Sequence, residues 1–342
     1  MKKHLNTLFV TTQGAYLAKD GETVAVRIDG GVALRVPLHT LASIVCFGNV
    51  GCSPFLMGFC GERDVGLSFL TENGRFLARV QGPVSGNVLL RREQYRRADD
   101  PAFSAAVAGA CVLGKVANSR TVLLRALRDH GDKVDAPALQ EGIDRLGAAI
   151  RRLQGELALD EVRGVEGDAA RVYFNTFDHL IIRDKDHFFM RRRSRRPPLD
   201  RINCLLSFLY TLVVNDMRSA LESVGLDPAV GYLHRDRPGR AGLALDLMEE
   251  FRPMADRLAL SLVNLGQLQQ GDFAVSDGGA VRMSDTARKT LLVAYQKRKQ
   301  EEMVHPFLEE RMSLGLFFHT QALLFARYLR DELDGYPPVI WK

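Results

Sequence analysis

Up to about residue 90 the apolar positions come in short runs, rich in β-branched and aromatic side chains and divided by turn residues. Leu8-Phe9-Val10, Val24-Ala25-Val26-Arg27-Ile28, Val32-Ala33-Leu34-Arg35-Val36, Ser43-Ile44-Val45-Cys46-Phe47 and Val65-Gly66-Leu67-Ser68-Phe69-Leu70 have the length and composition of strands. Asp20-Gly21, Asp29-Gly30-Gly31, Asn49 and Asn73-Gly74 supply turns between them. Pro54 to Gly61 predicts one short helix among the strands. Near residue 88 the apolar spacing becomes helical, and Ala, Leu and Arg dominate from there on. Leu89 to Tyr95 starts the second domain or joins the two. Helices are predicted at about 102–129, 137–159, 166–180, 199–221, 242–264, 286–300 and 305–333, with a lone hairpin near 273–283. The pattern predicts an α+β protein of two domains: a small, mostly β domain over 1–88 and a larger all-α domain over 89–342. It holds no internal repeat and no low-complexity tract.

Composition narrows the classes. The 342 residues are 46% hydrophobic and 25% charged, which is ordinary globular composition. Forty-six Lys and Arg against 41 Asp and Glu leave +5, a surplus that permits a nucleic-acid partner without demonstrating one. The five cysteines (Cys46, Cys52, Cys60, Cys111, Cys204) form no CxxC pair. That spacing writes neither a zinc ribbon nor a redox motif, and reads as reduced, buried thiols of a cytosolic protein. Met1 to Asn6 leads into too few apolar residues for a signal peptide, and no window approaches 18 uncharged apolar residues. The expectation is a cytoplasmic protein without a membrane span.

Candidate chemistry sits in three separate segments. Glu166 shares a helical stripe with Ala170, Tyr173 and Phe177, which puts a carboxylate beside aromatics. Such a charge is costly unless paired; the bland reading is a half-exposed first-turn Glu favoured by the helix dipole. His234 ends Gly231-Tyr232-Leu233-His234, ahead of a turn-rich loop, and a lone His is more often a surface residue than a ligand. On the third segment Leu247, Met248 and Phe251 form one helical face and Asp246, Glu249 and Glu250 the other. A solvated acidic face is the bland reading, and helical geometry cannot choose between Glu249 and Glu250. Together, two carboxylates and an imidazole suit a hard divalent cation, Mg²⁺ or Mn²⁺, and the missing thiolates argue against zinc. Between these segments Arg191, Arg192, Arg193, Arg195 and Arg196 crowd six residues ahead of Pro197-Pro198. They suit phosphate binding, with a solvated loop as the competing reading. Asp200 can cap the helix that follows.

Four ordered motifs carry a resemblance: Gly164-x-Glu166-Gly167; Arg195-Arg196-Pro197-Pro198-x-Asp200-x-x-Asn203-x-Leu205-Leu206-Ser207; Gly231-x-Leu233-His234; and Leu243-x-Leu245-Asp246-x-x-Glu249-x-Phe251-Arg252-Pro253. In this order they resemble CRISPR-associated protein one, the integrase and endonuclease of spacer acquisition. Gly114-Lys115-x-x-Asn118-x-Arg120 resembles the family's early helical segment, and the tail from Gln321 to Lys342 its type I-C branch. The resemblance implies a β domain for dimerisation and partner contacts, and a helical catalytic domain. It implies Glu166, His234 and Glu249 as metal ligands with Asp246 beside them. It implies a homodimer that works with CRISPR-associated protein two and inserts spacer DNA into the repeat array. Two readings compete with it: a stand-alone nuclease for branched DNA and a non-catalytic DNA-binding scaffold.

Overall fold

The computed structural model describes residues 6–80, 82 and 88–341, so the reading of Met1 to Leu5 lies outside the described residues. The first eight strands are β1 (Asn6–Val10), β2 (Tyr16–Asp20), β3 (Thr23–Ile28), β4 (Gly31–Pro37), β5 (Leu41–Phe47), β6 (Gly51–Cys52), β7 (Gly66–Leu70) and β8 (Phe76–Val80). They form two four-stranded sheets, ordered β1-β5-β7-β8 and β4-β3-β2-β6. The short helix α1 (Pro54–Glu62) lies between β6 and β7, where Ser53 caps it through the Leu56 amide. Between β3 and β4, Asp29 and Gly30 both take left-handed backbone (φ 49° and 80°), as a two-residue hairpin turn requires.

The β5 strand explains how the two halves meet. Its alternate residues face opposite ways. Ile44 and Cys46 join the apolar cluster shared by the two sheets. Val45 and Phe47 join the cluster that fills the helical body, and the Phe47 ring stacks on Phe208 with centroids 5.6 Å apart. A strand buried on both faces needs the continuous apolar run that its sequence shows.

From Val88 on the chain is mostly helical, so the α+β expectation holds. The helices are α2 (Val88–Ala98), α3 (Pro101–His130), α4 (Ala136–Leu153), α5 (Leu159–Thr176), α6 (Arg201–Ser223), α7 (Gly242–Leu247), α8 (Arg252–Asn264), α9 (Asp285–Gln300) and α10 (Leu314–Leu329). Two hairpins interrupt them: β9 (Phe273–Val275) with β10 (Val281–Met283), and β11 (Glu302–Val304) with β12 (Arg311–Ser313). The expected hairpin near 273–283 is therefore not alone. The predicted helix over 305–333 begins only at Leu314, because Pro306 and the left-handed Glu309 (φ 56°) belong to the second hairpin's turn. The helix predicted at 166–180 starts earlier, at Leu159, with the Glu161 side chain accepting from the Ala158 amide. Asp200 caps α6 as expected, accepting from the Asn203 amide at 2.6 Å.

Helix α3 is long and apolar enough to cross a membrane by length and composition alone. Here it is the central helix, with α4, α5 and the turn after α7 packed on it. All five cysteines are free thiols.

Candidate active site

Three segments around α3 bring the candidate ligands together: α5, the loop that carries His234, and the break between α7 and α8. Glu166 lies well inside α5 rather than in its first turn, so the helix dipole does not account for it. Ala170 and Tyr173, on the same stripe, line one pocket with it, together with Lys115, Arg195 and Arg252. The charge on that stripe is paired: the Lys115 ammonium donates to Glu166 Oε1.

The His234 loop is held by a backbone crossing. Gly231 and the first residue of α7, Gly242, touch so closely that a Cβ on Gly231 would lie 2.8 Å from the Gly242 backbone, and one on Gly242 as near to that of Gly231. Both positions therefore need glycine. Asp246, fully buried on α7, gathers the loop. Its Oδ2 accepts from the amides of Tyr232 (2.6 Å) and Leu233 (3.0 Å), and its Oδ1 from the amide of His234 (3.0 Å). The same Oδ1 lies 2.6 Å from His234 Nδ1. With the Asp246 oxygen as acceptor, Nδ1 carries a proton, and in the neutral ring the lone pair is on Nε2. That nitrogen stands 3.9 Å from Glu249 Oε1. From the far side Arg163 donates twice to the Leu233 carbonyl, at 3.0 and 2.9 Å.

The segment with three acids is not one helix. A 3₁₀ turn, Met248–Phe251, separates α7 from α8, and Pro253 sits in the first turn of α8. The tighter turn changes the angle between successive side chains, so a wheel drawn at 100° per residue misplaces them. All three acids are at least 97% buried, which overturns the solvated acidic face. Glu249 faces the site. Its Oε2 lies 2.8 Å from Lys115 Nζ and 2.9 Å from Arg252 Nε. Burial alone raises its pKa, but Arg252 and Lys115 outweigh that and bring it down to about 2.

Glu250, which the solvated-face reading would leave in water, turns into the protein, away from the site. It accepts from Tyr336 Oη, the Val339 amide and Gln321 Nε2, the last at 3.1 Å. Burial pushes its carboxyl up to about 7, against the pull of those donors. The C-terminal tail covers it, because Gly114 on α3 leaves room: a Cβ there would sit 3.1 Å from both Glu250 Cβ and Pro338 Cβ.

The arginine cluster divides. Arg191, Arg192, Arg195 and Arg196 are exposed, and Arg195 lies at the pocket beside Glu166. Arg193 is turned inward. It donates to Asn203 Oδ1 and the Ser194 carbonyl, both at 2.6 Å, and lies over the Tyr210 ring. That set of contacts gives Arg193 a packing role in the loop that its four neighbours do not share.

Among the described residues no three His, Cys, Asp or Glu side chains stand close enough to hold one ion as they are. Glu166 and Glu249 nevertheless converge on a single point, the Lys115 ammonium, with His234 Nε2 beside Glu249. Sequence reasoning gave no role to Lys115 or Arg252. The signal was present for Lys115, which is the lone charged residue between Pro101 and Ser119. A charge in so apolar a helix stretch must find a partner inside.

Comparison with known proteins identifies the family and the fold. The family of CRISPR associated protein Cas1 matches residues 8–297. A CRISPR-associated endonuclease Cas1 of Chlorobaculum tepidum is 57% identical over 343 residues, covering 100% of both chains. Among solved structures, the Cas6-RT-Cas1–Cas2 complex superposes with a TM-score of 0.81 at 22% identity, over 100% of this chain and 36% of that one. A casposase bound to integration product superposes with a TM-score of 0.80 at 21% identity, over 98% of this chain and 94% of that one. At such identities the structures show a shared fold.

Proposed function

The chain belongs to the Cas1 family of CRISPR-associated proteins, and from that premise we propose that it is a metal-dependent DNA endonuclease and integrase that inserts short spacer DNA into a CRISPR repeat array. The observation that carries the reading is the convergence of Glu166 and Glu249 on one cationic point, with an acceptor nitrogen of His234 alongside.

The residues fit a hard divalent cation. Two carboxylates and an imidazole are the right donors for Mg²⁺ or Mn²⁺, and Glu249 Oε2 is a buried carboxylate oxygen that already faces positive charge from Lys115 and Arg252. Glu166, His234 Nε2 and Glu249 would hold the ion, which would stabilise charge on the transferring phosphate.

The chain's own groups do the rest. Asp246 fixes the His234 ring by taking its Nδ1 proton in a hydrogen bond, which keeps Nε2 free of one. Arg252 adds positive charge beside Glu249. Arg195 stands at the pocket, and Arg191, Arg192 and Arg196 are free to contact phosphates, which orients a duplex without reading its bases. The 3′-hydroxyl of the incoming DNA attacks a phosphodiester in line, forming one P–O bond as the opposite one breaks. Water in place of that hydroxyl gives cleavage. Because the nucleophile is a DNA end, no side chain needs to form a covalent intermediate.

The same reading makes the protein a cytoplasmic homodimer that works with Cas2. Its fold matches a component of a Cas1–Cas2 complex, and a casposase seen with its integration product. Joining of a labelled duplex to supercoiled plasmid, with Mg²⁺ or Mn²⁺, tests the proposal. Glu166→Ala, His234→Ala and Glu249→Ala should each abolish joining while circular dichroism stays that of the wild type. Full activity in any one of them contradicts the role given to that residue.

A further inference from the structure

Lys115 occupies the point on which the two carboxylates converge. Its ammonium bonds Glu166 Oε1 and lies 2.8 Å from Glu249 Oε2, and its side chain is only 13% exposed. From its position on the central α3, between Gly114 and Val116, that ammonium pairs with both acids at once. Arg252 reaches the same Glu249 oxygen, so two cations already share it.

We propose that Lys115 is the internal counter-ion of the metal site: it holds Glu166 and Glu249 together in the metal-free protein and leaves their midpoint when a divalent cation enters. The inference rests on the reading that Glu166, His234 and Glu249 hold an ion. A divalent ion and an ammonium cannot share the same two oxygens, since like charges at contact distance repel strongly in a buried site. One cation must withdraw. The Arg252 guanidinium is anchored over the Tyr210 ring, 4.6 Å from its centroid. The lysine stem is flexible, and Lys115 borders the pocket that gives it room to swing. Metal affinity is therefore lowered by the fraction of molecules in which the ammonium holds the site closed. Lys115 is a positioning residue in this scheme: it keeps the ligands preorganised and sets how tightly the ion is held.

Titration calorimetry with Mn²⁺ on the full chain tests this, beside melting temperatures in a chelator. Lys115→Gln keeps a donor of similar length without the charge, so it should bind Mn²⁺ about tenfold more tightly, as expected if about nine sites in ten are otherwise closed. It should also melt lower than wild type without metal. Lys115→Arg, which keeps the charge, should resemble wild type in both. Unchanged or weaker Mn²⁺ binding by Lys115→Gln overturns the inference while leaving the metal reading intact. No Mn²⁺ binding by wild type, or binding that Glu249→Gln does not alter, overturns the metal reading and the inference with it. If Lys115→Gln does not fold without metal, reductive methylation of wild-type Lys115, read by mass spectrometry, decides. Reactivity should rise on adding Mn²⁺, and the same reactivity with and without Mn²⁺ contradicts release of the ammonium.

Discussion

Neighbouring residues of one type do different work here, and the surroundings decide which. Five arginines in six residues look alike in the sequence, but four are exposed and Arg193 holds Asn203, Ser194 and the Tyr210 face. Arg193→Ala should therefore lower stability in urea unfolding by about 2 kcal/mol, the scale of a lost hydrogen bond to a charged group. Replacing Arg191 and Arg192 together should leave the unfolding midpoint unchanged and make the salt dependence of DNA binding shallower by about one slope unit per lost contact. Salt curves that superimpose on wild type would show these two to be solvated only. The adjacent acids separate in the same way. Glu249 meets Lys115 and Arg252, whereas Glu250 meets the tail. Periodicity left that choice open, and the family motif, not the helical wheel, pointed to Glu249. Lys115 was legible as an unpaired charge in an apolar stretch, but its partners lie 51 and 134 positions away along the chain and no local pattern names them.

At the scale of elements, the sequence is legible where one pattern runs unbroken. The apolar runs of β3, β4, β5 and β7 and the capped helices α1, α6 and α9 fall close to expectation. Strands β2 and β8, Tyr-Leu-Ala-Lys-Asp and Phe-Leu-Ala-Arg-Val, carry few β-branched residues and exist because they pair with β3 and β7. The predicted helix at 242–264 fails at its middle, where the 3₁₀ turn places Glu249 and Glu250 on different neighbours. The tail follows from this break. Glu250 anchors it through Tyr336 and Val339, Asn118 Oδ1 accepts from the Trp341 amide at 2.8 Å, and the indole stacks on Phe317. Trp341 is the protein's single tryptophan, so its emission reports on tail docking. Glu250→Gln puts an amide donor where only acceptors are wanted, and should cost about 1–3 kcal/mol for the donors left unmatched. Trp341 emission should shift to the red. An unchanged spectrum and unfolding curve would mean that the tail is held by its apolar contacts alone.

Across the whole molecule, the two-part architecture was written in the change of period near residue 88, while the way the parts join was not. That junction depends on β5 presenting Ile44 and Cys46 to one core and Val45 and Phe47 to the other, which an apolar run shows only as a strand buried on both faces. The site depends on the same arrangement at larger range. Helix α3 supplies Lys115, α5 Glu166, the crossing at Gly231 and Gly242 His234, and the break between α7 and α8 Glu249. Four segments far apart in sequence thus meet around one point, and the central claim is that this point holds a catalytic divalent ion. Anomalous diffraction from crystals soaked in Mn²⁺ tests that claim most directly. The account predicts one manganese peak bounded by Glu166, Glu249 and His234 Nε2, with the Lys115 ammonium displaced from between the carboxylates. Lys115 still seated between Glu166 and Glu249, with manganese absent there or bound only elsewhere, would contradict it.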